Sequence, residues 1–458
     1  MTVCRGARAQ EPYYKLGSPD EIRKSASDLA YDLMLYYHGN ETGEIPGILP
    51  GPPDDGKGDY YWWQGGAMMG TYIDYWHLTG DETYNAAVSQ GMIHQTGDNG
   101  DYQPRNFTAS LGNDDQGFWG MSAMLAAENR FPNPPDGDYQ WLELAQGVWN
   151  TQAAPDRHDD ECNGGMRWQV PPTNVGYDYK NAIANGCFFN LGARLARYTK
   201  NDTYAKRAEE TWDWVWGVDY IDHKTWNVYD GGHIEHNCTD IDKTTYSYNA
   251  AVFLQGAAFM YNYTEDEKWK TRVDGLTDSL LKTFFPKDVM YEVSCEMSIE
   301  AFCSADMLSF KGYVHRWLLS ATQVAPHTRN KILPVLRKSA EAAVRQCTGG
   351  ESGRACGFYW SRGGEYVDPA RDGTSGAGEA MNVLAAVSGL LVDDAEPPAD
   401  NTTGISKGNP NAGEKKNTGT DEMGHRKITQ ADRAGAALLT VLVVGGFVAL
   451  FGWMTVFD

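Results

Sequence analysis

The chain of 458 residues carries 39 Lys and Arg against 61 Asp and Glu, a net charge of −22. That charge is spread along the chain, so long-range repulsion opposes docking on nucleic acid or other polyanions and leaves neutral and cationic partners. Hydrophobic residues at 41% suffice for a large core, and 15 Trp with 26 Tyr supply rings for that core or for stacking on sugars.

Met1 to Gln10 has no apolar run of the kind that opens a secretory leader, and residues 1–19 read as a lead segment. Beyond it the pattern alternates. Amphipathic stretches near 20–37, 81–95, 138–152, 202–217, 266–285 and 328–347 put apolar residues on one face, as Trp269, Val273, Leu276 and Leu280 show. Between them, segments near 61–78, 115–130, 180–198, 245–262, 304–322 and 374–392 are rich in Gly, Ala and aromatics on all sides, which fits helices buried all round. A recurring start marks the junctions: Thr79-Gly80-Asp81 before Tyr84, Thr199-Lys200-Asn201-Asp202 before Tyr204, and Thr264-Glu265-Asp266 before Trp269. The intervals, 120 residues from Thr79 to Thr199 and 65 from Thr199 to Thr264, give a unit of about 60. Six such hairpins, each with a face it cannot bury alone, close into a double-layered ring, so the expected fold is an all-α (α/α)6 barrel over residues 20–395. An open solenoid of the same hairpins is the alternative. Strands should be minor, and the loops at 99–114, 155–179, 218–244, 286–303 and 348–373 are long enough to wall one cleft.

The inner helices of such a ring all point the same way, so their starts should surround one depression. Those starts hold Trp62, Trp63 and Gln64; Asn113, Asp114, Asp115 and Gln116 with Trp119; Tyr177, Lys180 and Asn181; Tyr246, Tyr248 and Asn249; Lys311 and Arg316; and Glu379. Arg167 and Trp168, in a Gly-rich run after Cys162, add a clamp and a ring. We take all of these as candidate sugar-binding residues. Glycosyl transfer needs one carboxylate at the anomeric centre and another to protonate the leaving oxygen. Adjacent aspartates at a helix start can splay toward one point with carboxyls about 5–6 Å apart, near the spacing of retaining enzymes. Helix capping is the competing reading of Asp114-Asp115, since Asp favours the first turn. The pair lacks the third carboxylate of a DDxxD metal cluster, and the ten histidines show no ligand spacing. With no P-loop or Rossmann glycine pattern either, neither a metal nor a cofactor is expected. A ring enzyme of the epimerase kind would need a histidine pair at the mouth, where only His315 is on offer.

Of eight cysteines, Cys295 with Cys303 and Cys347 with Cys356 close short loops if oxidised, and the other pairings stay open. Six Asn-x-Ser/Thr sequons, at Asn40, Asn106, Asn201, Asn237, Asn262 and Asn401, favour the secretory pathway and glycosylation. Residues 396–433 read as a flexible polar stalk, and 434–458 as an apolar GPI signal or a transmembrane helix. No basic residue follows the apolar run, which favours GPI attachment, with Asn417 the better of two weak acceptor matches. The expected location is the outer face of the plasma membrane and the cell wall.

Asn113-Asp114-Asp115-Gln116 with Phe118-Trp119, the run Gly164-Gly165-Met166-Arg167-Trp168, and Phe310-Lys311-Gly312 with Arg316, set on the hairpin frame, resemble glycoside hydrolase family 76 over about residues 20–392. The sequons and apolar tail resemble its fungal cell-wall branch. The resemblance implies an (α/α)6 barrel and retaining cleavage of α-1,6-mannosidic linkages, with Asp114 as nucleophile and Asp115 as acid/base. For the fungal branch it further implies an α-mannoside donor, the mannose core of the GPI glycan, passed to cell-wall glucan as acceptor. Phe118 departs from the pattern, standing where bacterial members tend to carry a second Trp. A non-catalytic glycan-binding protein on the same barrel is the alternative, and its binding would survive replacement of both aspartates.

Overall fold

Left-handed residues end three of the inner helices, and side-chain caps start the outer helices that follow two of them. Gly80, Lys200 and Glu265 all take positive φ (78°, 57° and 55°) directly after an inner helix. Asn201 and Asp266 then accept backbone N–H groups of the helix that follows. At the second and third of these junctions the motif is thus a tight αL reversal joined to an N-cap, while at the first Asp81 accepts from the Thr83 N–H (3.0 Å) inside the turn. In the computed structural model residues 12–52, 59–297 and 302–414 are described, with isolated helical positions between 435 and 446. Residues 1–414 and 415–458 form separate units.

Twelve α-helices occur among the described residues of the first unit: α1 (Pro19–Met34), α2 (Trp62–Thr79), α3 (Asn85–His94), α4 (Asn113–Glu128), α5 (Trp141–Gln152), α6 (Ala182–Thr199), α7 (Asp202–Gly217), α8 (Ser247–Thr264), α9 (Glu267–Phe284), α10 (Phe310–Val324), α11 (Arg329–Arg345) and α12 (Ala377–Ser388). The even-numbered helices form the inner layer, each packed on the next, and α12 packs back on α2. That last contact closes the ring and excludes the open solenoid. The outer helices α3, α5, α7, α9 and α11 each cover the inner helix before them, while α1 covers α12. α10 begins at Phe310 rather than near 304, because a short 3-10 turn, Met307–Ser309, leads into it.

The inner layer packs closely through its small residues. A Cβ at Gly66 would sit 2.7 Å from the Trp119 ring. The outer helices bury one stripe, which in α9 includes the predicted Trp269, Val273, Leu276 and Leu280. Truncating one of the fully buried rings, Trp119, Trp141, Trp212 or Trp269, to Ala costs about 3–5 kcal/mol. Among the described residues strands are confined to two short antiparallel pairs, β1 (Tyr179–Asn181) with β2 (Gly231–His233) and β3 (Cys347–Gly349) with β4 (Ala355–Cys356). Disulfides join Cys162–Cys238, Cys295–Cys303 and Cys347–Cys356, all in mouth-side loops, and Cys187 is free and buried.

One expected boundary changes. Residues 396–414, read as the start of a free stalk, lie against the barrel as a strap. Ala399 N–H donates to the Glu128 carbonyl (2.8 Å), Asn401 N–H to Tyr198 (2.8 Å), and Asn150 Nδ2 donates to the Pro410 and Ala412 carbonyls (2.9 and 2.8 Å). Small Ala399 and Ala412 are buried, which polarity alone does not reveal. Asn417 and most of 434–458 lie outside the described residues, among which no helix is long and apolar enough to cross a membrane.

Candidate active site

Extended Gly112 leads into α4, and Asp114 and Asp115 occupy its first turn. The Gly112 N–H donates to Asp115 Oδ2 (2.8 Å), and the Asp115 N–H donates to Asp114 Oδ1 (3.1 Å). From the facing loop the Trp168 indole donates to Asp114 Oδ2 (2.9 Å). A side chain at Gly112 would collide with both carboxylates, since its Cβ would overlap Asp114 Oδ1 and lie 3.0 Å from Asp115 Oδ2. Capping and site formation therefore coexist: Asp115 caps α4, and it also lines a cavity of about 630 Å³ with Asp114.

Each aspartate is enclosed by protein except where it opens on that cavity. Burial and the Asp115 charge push Asp114 well above the usual carboxylate range. Burial lifts Asp115 to about 6, partly offset by the Gly112 N–H. No Lys, Arg or His among the described residues lines the cavity, so nothing neutralises a second negative charge and the pair holds one proton near neutral pH.

Eight of the predicted site residues line this cavity: Asp114, Asp115, Trp62, Trp63, Trp168, Asn181, Tyr246 and Tyr248. Phe118 closes its floor, and Phe310, stacked on Tyr248 at 3.8 Å, extends the aromatic wall. The other eleven lie behind the walls. Gln64 donates to the Ala305 carbonyl and Ser309 Oγ (3.0 Å each) and so holds the turn before α10. Asn113 Nδ2 reaches the Arg167 carbonyl (2.8 Å), Gln116 ties α4 to Asp101 and Thr151, and Trp119 is fully buried. Lys180 and Arg167 share Asp159 (2.7 and 2.5 Å), and Arg167 stacks over Tyr177, so these residues pin the loop that presents Trp168. Lys311 pairs with buried Glu296 (2.6 Å) and bonds the Phe358 carbonyl, bracing two other mouth loops. Arg316 lies deeper in the ring, paired with Asp74 (2.6 Å). Asn249 donates to Asp230 (3.3 Å), and Glu379 is buried beside Thr374, its carboxyl raised to about 8 by burial. His315 is scaffold, bonded to the Lys311 carbonyl and Ser339 and held neutral by burial.

Two acids of the cavity were missed. Asp306, raised to about 7 by burial and by the Asp115 charge, lines the cavity with Trp63 at the foot of α10. Asp230 accepts from the Tyr179 hydroxyl (3.0 Å) and Asn249, and burial raises it. Asp306 was within the predicted inner segment, whereas Asp230 sits in a long loop with no local signal.

A closed ring of hairpins with a carboxylate pair on the floor of an aromatic cleft is the build of a glycosidase of the (α/α)6 class. Residues 21–402 match the model of glycosyl hydrolase family 76, and the chain belongs to that family. It is similar to the mannan endo-1,6-alpha-mannosidase DCW1 of Eremothecium gossypii, at 41% identity over 95% of this chain and 93% of that one. The crystal structure of Dfg5 from Chaetomium thermophilum in complex with glucosamine is 67% identical, with a TM-score of 0.87 over 89% of this chain and 99% of that chain. The α-1,6-mannanase of Salegentibacter sp., solved as an inactive variant with α-1,6-mannotriose, shares the fold at 16% identity, with a TM-score of 0.61 over 81% of this chain and 99% of that one.

Proposed function

We propose that the protein is a retaining glycosidase and transglycosylase acting on α-1,6-mannosides, of the endo-α-1,6-mannanase type. The observation that carries this reading is the Asp114-Asp115 pair on the floor of a cavity that leaves one proton between two carboxyls. Burial raises Asp114 above Asp115, so the proton of the pair passes to Asp115 before Asp114 attacks the anomeric carbon and Asp115 gives that proton to the departing oxygen. The resulting glycosyl ester on Asp114 is released when Asp115 takes the proton of an incoming hydroxyl. Trp168 holds one oxygen of Asp114 and the Asp115 N–H holds the other, which fixes the nucleophile before substrate arrives. Trp62, Trp63, Tyr246 and Tyr248 offer faces to sugar rings, and Asp230 and Asp306 accept sugar hydroxyls. Four carboxylates without a basic lining residue favour neutral or cationic glycans over anionic ones. The curated relatives are named mannan endo-1,6-alpha-mannosidases, and the Chaetomium thermophilum protein was crystallised with glucosamine. An amino-sugar-containing α-mannoside such as the GPI core is accordingly the proposed donor, with cell-wall glucan as acceptor.

The extracellular face of the plasma membrane, with GPI attachment at Asn417, is the proposed location. Three disulfides, six exposed sequon asparagines and the apolar run 434–458 support it. The test is direct. Asp114→Asn and Asp115→Asn should each abolish release of mannose oligomers from α-1,6-mannan while circular dichroism and Tm stay near wild type. A glycosyl-enzyme trapped with an oligomannoside should map to Asp114 by mass spectrometry. Wild-type turnover in either variant sinks the proposal.

A further inference from the structure

The wall beside the catalytic pair carries a sequon at its edge. Asn106-Phe107-Thr108 lies on the loop between α3 and α4, six residues ahead of Gly112. Phe107 lines the cavity and stacks on Trp62 (5.1 Å between centroids), Trp62 stacks on Trp119 (5.4 Å), and Trp119 stacks on Tyr102 (5.4 Å). This ladder of four rings runs outward from fully buried Tyr102 and fixes Phe107 at the rim. Asn106 and Thr108 on either side of it are exposed. The backbone thus places Asn106 within about 3.8 Å, one Cα step, of a cleft-lining residue. Three of the other sequons are set differently, whereas Asn40 and Asn237 lie in the loops before α2 and α8. Asn201 caps α7, Asn262 lies in the last turn of α8, and Asn401 bonds the last turn of α6, all at the end of the ring opposite the mouth.

We propose that Asn106 bears an N-linked glycan that forms the outer lip of the cleft and limits the width of the glycan chain that reaches Asp114 and Asp115. In the modifying step Nδ2 of Asn106 loses a proton and bonds to C1 of an oligosaccharide carried on a polyprenyl diphosphate. The C1–O bond to the diphosphate breaks and the diphosphate leaves. A glycan of several hexoses rooted there is comparable in bulk with what the cavity of about 630 Å³ can take. It narrows the approach for branched polymer and leaves a slim linear chain free to enter. Swinging Phe107 aside to relieve the crowding costs its stack on Trp62.

The proposal rests on the glycosidase reading and is tested on full-length protein secreted from a eukaryotic host. Glycopeptide mass spectrometry should find Asn106 occupied. Asn106→Gln and Thr108→Ala should each raise the ratio of kcat/KM on branched mannan to that on linear α-1,6-mannotetraose by about threefold or more, with turnover of the linear substrate unchanged. Asn401→Gln, which removes a far-end sequon, should leave the ratio unchanged. An empty Asn106, or an unchanged ratio in active protein, overturns the lip. Failure of the underlying reading shows separately, as wild-type protein inert toward both glycans, and takes the lip with it.

Discussion

Trp168→Phe removes one N–H and keeps an aromatic ring in the cleft. The indole donates to Asp114 Oδ2 at 2.9 Å, and a donor to a carboxylate favours its ionised form. Without it Asp114 binds its proton more tightly, so the acid limb of the kcat/KM profile moves to higher pH. A hydrogen bond to a charged group is worth about 1.5–3 kcal/mol. Trp168 is 36% exposed, so water replaces part of the lost bond and the lower end applies. About 1.4 kcal/mol corresponds to about one pH unit, and below the shifted limb the variant should be roughly tenfold slower than wild type. The assay is reducing-end release from α-1,6-mannotetraose between pH 4 and 8, with kcat and KM separated at each pH. If the acid limb stays in place and only KM rises, Trp168 is a stacking platform alone and the assignment of its N–H to the nucleophile fails.

Gly112→Ala should cost about tenfold or more in kcat with Tm nearly unchanged, because φ of −89° suits alanine while the new Cβ displaces the two carboxylates. Glu379 has its folded pKa raised to about 8, so its contribution to stability is complete below the unfolded value of about 4.5 and is lost as pH rises through 8. Glu379→Gln, which keeps an acceptor for Thr374, should therefore match wild type in Tm near pH 4.5 and exceed it at pH 8; equal Tm values at both would refute that account. A chain ended at residue 395 should lose about 2–4 kcal/mol in chemical denaturation through its missing strap contacts to Glu128, Asn150 and Tyr198, whereas one ended at 414 should equal the full chain.

The ring was readable because burial follows period: α9 shows a single apolar stripe, α8 is buried almost throughout, and the αL reversals after α6 and α8 carry a polar residue followed by a capping Asn or Asp. The strap was not readable, because residues 396–414 bond largely through backbone groups and bury only small side chains, and neither feature alters hydropathy. The site was half readable for a geometric reason. Successive residues of a helix point about 100° apart, so a polar first turn on an inner helix sends some side chains to the axis and others into the neighbouring wall. Composition cannot separate the two. Gln64, Asn113, Lys180 and Lys311 went into the walls, where their bonds hold the loops that carry Asp306 and Trp168, and Gln116 went into the wall against Asp101 and Thr151.

By the same geometry two adjacent aspartates should diverge, and Asp114 and Asp115 share one cavity because two neighbours turn them together. Gly112 leaves the space that a Cβ would take, its N–H draws Asp115 back toward the helix start, and the Trp168 indole holds Asp114 from the opposite wall. Only Gly112 is adjacent in sequence. The Trp168 contact comes from a loop braced by Arg167, Asp159 and Lys180 and stapled by Cys162–Cys238. The pair is therefore a product of the long 155–179 loop as much as of α4, and perturbing Trp168 tests that joint origin more sharply than deleting either carboxylate.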